Sequence, residues 1–402
     1  MRNMSGTLTR SLKDTLSIKI KARHDGYTDQ FTRLFMTKMF IIASVTMSFD
    51  YFNDEVHCIL PKSSGLSDEF VHSACWIAGF FIYAEMEERQ GEAAYYGIPF
   101  QIEFNGINEL NKLCSTHDKN RQRVPGCEPM TKLYYLHYQW LPFYVASLAI
   151  LFYLPYILFR IVNTDLVSLK AAMKNGTHKP EQIVKNYFNY NINPKVRLRL
   201  RTTLNIGIKL VYICVNLTAF YFTDYLLHGN YINFGIEYMN WSKENITVAH
   251  DLKKRDYPKP ANKLLPTMGF CDIQEAYLDV KMAFHNENKF ICEISPHILY
   301  QYVLMVLWFM LIVSIAISCI GCILHLAGLL TTLFCFSAKS VAKRQIMRVL
   351  TLRENEYLLY IRRKNLIIYG DILRKLKSQR TDMSGIPDDF EAAREKNLNA
   401  FI

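Results

Sequence analysis

The 402-residue sequence has no glycine-rich phosphate loop, no histidine cluster at metal-ligand spacing and no nucleophile elbow. Those absences remove the common sequence routes to catalysis, and nothing in the chain calls for a cofactor. Its lone Cys319-x-x-Cys322 lacks a second pair to complete a zinc site and stands in an apolar run. Both cysteines are therefore expected to pack as small hydrophobes. The first 30 residues carry Arg2, Arg10, Lys13, Lys19, Lys21 and Arg23, with no apolar stretch ahead of a small-residue cleavage site. Insertion into a membrane is then expected to begin with the first spanning helix itself. Acid is also scarce: 47 Lys and Arg face 36 Asp and Glu, a formal charge of +11. In a soluble chain that excess would point to nucleic acid, so its placement decides its meaning. Asp388-Asp389 lies in a polar tail and reads as solvated charge.

Half of the residues are hydrophobic, and they gather into blocks close to the roughly 20 residues of helix that cross a bilayer. Four such blocks are Leu34–Phe52, Trp140–Val162, Leu204–Leu227 and about Ile298–Leu330. The fourth exceeds what the hydrocarbon layer requires, so it either tilts or continues as a cytosolic helix. A shorter run, Phe70–Ala84, follows Ser67, Asp68 and Glu69, which have the character of a helix cap with acids in the first turn. It is expected to be an amphipathic helix packed on the outer face rather than a fifth span. The expected divisions are a tail at 1–33, spans at 34–52, 140–162, 204–227 and 298–330, outer loops at 53–139 and 228–297, a cytosolic loop at 163–203 and a helical tail at 331–402.

Orientation follows the basic residues beside the spans. The segment 163–203 holds Lys170, Lys174, Lys179, Lys185, Lys195, Arg197, Arg199 and Arg201 against only Asp165 and Glu181. The N-terminal tail is basic too, as is the stretch with Lys339, Lys343, Arg344 and Arg348, whereas 53–137 is acidic on balance. Both ends and 163–203 are thus expected in the cytosol, which explains the charge without nucleic acid. Six cysteines, Cys58, Cys75, Cys114, Cys127, Cys271 and Cys292, fall in the loops that this scheme places outside. An even number in an oxidising compartment implies disulfides, and six cysteines allow 15 pairings. Asn240-Trp-Ser and Asn245-Ile-Thr, in the second outer loop, are candidate glycan sites. Asn3, Asn175 and Asn216 also stand in sequons but on the wrong side or within a span, and are expected to stay bare.

The first span is polar for its role, with Thr37, Lys38, Ser44, Thr46 and Ser48. Such residues face either a water-filled cavity or neighbouring helices, with Lys38 reaching for the interface in the second case. In the tail, Leu8, Leu12, Leu16 and Ile20 form a stripe at a spacing of four, with Arg10, Lys13, Lys19 and Lys21 off it. That pattern suits a helix in a pore mouth or one lying on anionic lipid. Pro142 sits in the first turn of the second span, and Pro155 near its other end either bends the helix or gates it. Lys209 and Asn216 read as polar contacts between helices, and Asp224 as lying near the outer interface.

Tyr138-Gln139-Trp140-Leu141-Pro142-Phe143, followed by LFYLP at 151–155, resembles the signature of the innexin family. Cys58-Ile-Leu-Pro, Cys75-Trp76-Ile77, Phe270-Cys271-Asp272, Cys292-Glu-Ile-Ser-Pro and LWFMLIV at 307–313 resemble further family segments in the same order, over roughly 25–370. Leu136-His137 before Tyr138, Leu141 in place of a valine, and the extra pair Cys114 and Cys127 depart from the family pattern. The resemblance implies an all-α membrane protein, a bundle of four transmembrane helices with cytosolic termini and disulfide-linked extracellular loops of mixed α/β structure. It implies pairing of Cys58 with Cys292 and Cys75 with Cys271, leaving Cys114–Cys127 as a local bridge.

It also implies a non-enzymatic subunit of a homo- or hetero-oligomeric ring of innexin subunits, expected as an octamer in plasma-membrane lipid. The ring would dock to a second ring in the apposed cell and pass ions and small molecules. The first span and the Leu8, Leu12 and Leu16 stripe would line its pore. An undocked hemichannel is the alternative, and glycans at Asn240 or Asn245 would either obstruct docking or project clear of it. A non-conducting tetraspan of the claudin or tetraspanin kind is a more distant rival, since both outer loops here are long and no Cys-Cys-Gly run occurs.

Overall fold

The computed structural model describes residues 26–53, 56–60, 66–117, 122–175, 179–244, 259–278, 283–334 and 341–379. Leu8, Leu12, Leu16, Asn3, Asn245, Cys335 and Asp388-Asp389 lie outside that set. The helices in chain order are α1 (Tyr27–Gln30), α2 (Thr37–Asn53), α3 (Asp68–Ala78), α4 (His137–Val162), α5 (Thr164–Asn175), α6 (Pro180–Tyr187) and α7 (Lys195–Leu226). There follow α8 (Phe234–Trp241), α9 (Pro260–Leu264), α10 (Ser295–Leu333), α11 (Val341–Val349), α12 (Leu352–Lys364) and α13 (Leu366–Gln379). The strands are β1 (His57–Cys58), β2 (Phe80–Tyr83), β3 (Ala93–Tyr95), β4 (Ile98–Pro99), β5 (Gly106–Asn108), β6 (Leu113–Cys114), β7 (Cys127–Pro129), β8 (Lys132–Tyr135), β9 (Met268–Leu278) and β10 (Ala283–Glu293).

Three of the helices, α4, α7 and α10, are long and apolar enough to cross a membrane. Their 26, 32 and 39 residues correspond to about 39, 48 and 58 Å at 1.5 Å per residue. Each starts before the apolar block read from sequence, because polar residues such as Lys195, Arg197 and Arg199 continue the helix past the hydrophobic stretch. The first block behaves differently. Its helix opens at Tyr27, passes through a π-helical turn at Phe31–Met36 and continues as α2. The extension escapes a hydropathy reading since it carries Asp29, Gln30, Thr32 and Arg33, all buried. The run 70–84 is two elements rather than one amphipathic helix: α3 ends at Gly79, whose φ of +88° suits a residue without Cβ, and β2 follows.

The described residues divide into two compact units. One takes the described parts of Met1–Lys38, Ile150–Leu217 and Val313–Ile402. Within it, α5, α6 and the start of α7 pack with α11, α12 and α13 around Leu169, Ile183, Leu198, Ile361, Ile372 and Leu376. The spacing of three and four along α13 (Tyr369, Ile372, Leu373, Leu376) gives each helix one apolar stripe to bury. α12 starts on a capping box in which Thr351 and Glu354 satisfy each other's backbone amides.

Beneath that cap lies a buried charge cluster. The fully buried Arg353 donates to both Asp165 oxygens at 3.0 and 2.8 Å, to Asn163 Oδ1 at 2.7 Å and to Glu356 at 2.8 Å. Arg201 adds a second cation 3.1 Å from Asp165, and the Tyr357 hydroxyl donates to the same carboxylate. Burial pushes the Asp165 pKa up, but these bonds and charges outweigh it and hold it below the ordinary 3.8. Burial and the neighbouring Asp165 charge push the Tyr357 hydroxyl up.

The other unit takes Met39–Ala149 and Thr218–Ile312, again over described residues. Its centre is a five-stranded antiparallel sheet in the order β1-β10-β9-β2-β8. Phe81, Tyr83, Met86, Ile98, Phe270 and Ile291 fill the space against it. A smaller sheet, β6-β5-β7, forms beside the Cys114–Cys127 bridge. Gly106 in β5 is fixed by space, since a Cβ there would stand 2.5 Å from the Glu128 carbonyl oxygen and 2.7 Å from Cys127 Sγ.

Removing Arg353 leaves the buried Asp165 with only Arg201 and the Tyr357 hydroxyl as the partners described above, a partial loss set below the roughly 3–5 kcal/mol of a fully broken buried pair, at about 2–3 kcal/mol. Arg353→Ala is therefore expected to speed amide hydrogen exchange across 352–364 by about one and a half to two orders of magnitude, read by mass spectrometry. Because the folded Asp165 pKa is depressed, its contribution is present above the unfolded value and is lost as pH falls through the lower folded one. Exchange in the same helix should thus accelerate selectively below about pH 4, and Asp165→Asn should remove that acid dependence.

Candidate functional site

The sheet-bearing unit is fastened at three points. Cys58 is bonded to Cys292, Cys75 to Cys271 and Cys114 to Cys127. The register sets Cys58 directly opposite Cys292 across the β1–β10 pair, so neighbouring backbone bonds hold both sulfurs in place. Cys75 is on the buried side of α3 with Val71, one helical turn apart. The Ser67 hydroxyl caps that helix by accepting from the Phe70 amide at 3.4 Å, with Asp68 and Glu69 in the first turn. Each long-range bond joins chain segments about 200 residues apart, with separations of 234 and 196.

The Tyr138-Gln139-Trp140 run serves the end of α3. Tyr138 donates its hydroxyl to the Trp76 carbonyl at 2.7 Å, and the Gln139 amide donates to the same oxygen at 2.8 Å. The Trp76 and Tyr138 rings meet at 4.5 Å between centroids. A C-terminal carbonyl of a short helix has no partner inside the helix, so two donors on it complete the cap. Trp140 lies half-buried against His137 and Tyr144. Pro142 is buried, and its carbonyl accepts the Ser44 hydroxyl at 2.9 Å, which joins α2 to α4. Pro155 is buried and α4 runs through it.

The polar residues of the first helix divide by use. Ser44 is taken up by Pro142, while Thr46 and Ser48 donate back to the carbonyls of Ile42 and Ser44 at 2.9 and 2.8 Å. Thr37 and Lys38 are half-buried, and the Thr37 hydroxyl has no hydrogen-bond partner among the described residues. The exposed face of α2 is an apolar stripe, Ile41, Val45 and Phe49, at a spacing of four. In the second unit, the Asp224 carboxylate accepts the Tyr231 and Ile232 amides at 2.8 Å each and so caps a turn. Asn240 is exposed in the last turn of α8. Cys322 is buried and Cys319 half-buried, both free.

Sequence reasoning missed the partners in the first unit. Lys209 pairs with Asp29, both largely buried. Thr32 shares a 3.3 Å hydrogen bond with Ser318, which also accepts from Asn216 at 3.2 Å, and the Arg33 guanidinium lies 3.6 Å over the Tyr156 ring. A Cβ at Gly321 would fall 2.5 Å from the Thr28 hydroxyl, so the α1 and α10 backbones meet where a side chain is missing. The available signal was Lys209 itself: a lysine inside an apolar helix calls for an acid, and Asp29 stands just before the block that hydropathy selects.

Comparison with known proteins finds a family match: the model described as Innexin matches residues 25–380, nearly the whole chain. No curated protein matches the chain. The match takes in both long-range disulfides, the Tyr138-Gln139-Trp140 run and the helices α4, α7 and α10.

Tyr138→Phe removes one of two donors on the Trp76 carbonyl and is expected to cost about 1 kcal/mol. Gln139→Ala removes the other, and the double variant should lose more than the two singles combined, since the two donors share one acceptor. Thermal unfolding of the purified protein followed by tryptophan fluorescence measures the difference. Gly321→Val should lower the midpoint more than Gly328→Val, because a Cβ at 328 meets nothing within 4 Å.

Proposed function

This chain belongs to the innexin family, and from that premise we propose that it is a structural subunit of a gap-junction channel, docked ring to ring between adjacent cells. The family is one of channels, not enzymes, and its place is the plasma membrane. The observation that carries the proposal is the reach of the match, residues 25–380, which includes every cysteine of the two long-range bridges. The finer reading has four spans: α4, α7, α10 and the first helix from Tyr27 to Asn53. Both termini and 163–203 lie in the cytosol, and the disulfide-bonded unit faces outside. The positive residues around Lys195–Arg201 support that orientation, and so does the chemistry of disulfides, which persist in oxidising compartments.

In this proposal several copies of the chain, of one isoform or more, form a ring with eightfold symmetry set in membrane lipid. The first helix borders the aqueous path, and the Leu8, Leu12 and Leu16 stripe packs in its cytosolic mouth. Thr37, Lys38, Thr46 and Ser48 give that helix its polarity, while Ser44 is committed to α4. Asn240, exposed at the end of α8, and Asn245 carry glycans. An undocked hemichannel releasing small metabolites is the second reading, favoured by the exposure of Asn240 in the unit that would meet a second ring.

Cells expressing the chain should show a whole-cell conductance and take up a small impermeant dye, and pairs of such cells should be electrically coupled. Current and dye uptake without coupling, restored by Asn240→Gln with Asn245→Gln, would assign the hemichannel. Neither current nor dye, with normal surface delivery, would sink the channel reading. An epitope at the amino terminus should be stained only after permeabilisation.

A further inference from the structure

His57 and His72 come from separate segments, yet their imidazoles meet edge to face in the sheet-bearing unit. The ring centroids are 5.8 Å apart at an interplanar angle of 89°. Two imidazoles bound at about 2.0–2.1 Å to one tetrahedral Zn2+ hold their ring centres roughly 5–6 Å apart. The observed spacing falls in that range. We propose that His57 and His72 form a binding site for a borderline transition-metal ion of the Zn2+ or Cu2+ class.

Preorganisation supports the assignment. His57 immediately precedes Cys58, which is bonded to Cys292, and His72 lies one helical turn before Cys75, which is bonded to Cys271. Both ring carriers are therefore fastened covalently to the same β9–β10 hairpin. An ion meeting the two rings does not have to gather two mobile loops, so little ordering entropy opposes binding. Accessibility supports it as well: His57 is exposed and His72 half-buried, so solvent reaches the pair. His72 Nε2 accepts the Cys58 amide at 3.3 Å, the long end of the range, which shows that the lone pair on that nitrogen points toward the strand carrying His57. An ion at Nε2 takes the place of this weak bond. Glu293 stands opposite His57 in the β1–β10 register, and its exposed carboxylate adds negative charge beside the site. Imidazole nitrogen is the donor that Zn2+ and Cu2+ favour. Water fills the remaining coordination positions.

The test uses the full-length protein in lipid nanodiscs. Zn2+ is titrated by calorimetry, and Cu2+ binding is followed by electron paramagnetic resonance. His57→Ala changes an exposed side chain, and His72→Gln keeps an acceptor for the Cys58 amide. A thiol count showing all three disulfides intact, with an unchanged melting temperature, verifies the fold of both. Loss of a group that merely supports a metal ligand already weakens binding about 10–100-fold, so removing a ligand should weaken it at least about tenfold. Each variant is expected to lose the tightest Zn2+ equivalent, and the Cu2+ spectrum should fall from two-nitrogen to one-nitrogen hyperfine structure. A Zn2+ isotherm in either variant that overlays the parent's, or a parent that binds none, overturns the proposal. These readouts do not depend on conductance, so the outcome stands whether or not the channel reading does.

Discussion

A charge or amide inside an apolar helix bundle has to find a partner, because leaving it bare costs several kcal/mol. This rule decides how the helices of the first unit meet. Lys209 reaches Asp29, Thr32 and Asn216 converge on Ser318, and Arg33 lies over Tyr156. None of these contacts is large, but each has one acceptable geometry, which an apolar surface would not impose. The start of the first helix is thereby tied to α7, α10 and the end of α4 within that unit. The same rule works among the helices beyond the hydrophobic runs, where Arg353, Arg201 and Tyr357 gather on Asp165 and Asn163 accepts from Arg353. Such a cluster is not a large source of stability. Its value is specificity: it accepts one register between α5, α7 and α12, as the surrounding leucines and isoleucines do not.

Much of this architecture was legible in the sequence, and the residues show why. Apolar blocks identify α4, α7 and α10 because length and hydropathy are what a membrane selects. Ser67, Asp68 and Glu69 located the start of α3 through the chemistry of capping. The first helix was read seven residues short, since a hydropathy scan cannot credit Asp29 or Arg33 with partners that lie far along the chain. Phe70–Ala84 was read as one helix because Phe80, Phe81, Ile82 and Tyr83 are as apolar as what precedes them. Only the backbone at Gly79, outside the reach of ordinary side chains, marks the change to a strand.

Site residues were legible to a different degree. The six loop cysteines announce disulfides, but spacing leaves their pairing open, and it was the family resemblance that supplied one. Tyr138 and Gln139 were recognised as a signature with no task attached. Their task is local, closing the end of α3 at the Trp76 carbonyl, and a sequence read in one dimension cannot reveal a carbonyl 62 residues away as the acceptor. The hydroxyls of the first helix illustrate the opposite limit. Ser44 looked like its neighbours, yet it alone reaches across to α4.

The two long-range bridges leave the β9–β10 hairpin from Cys271 and Cys292, which the ladder places only two positions apart on paired strands. In mechanical language the hairpin is a strut with both fastenings at one height. Load applied along it passes to α3 and β1 through covalent bonds, whereas a ladder of hydrogen bonds would open rung by rung. Hairpin, α3 and β1 therefore take up a push or a pull together, as one braced frame.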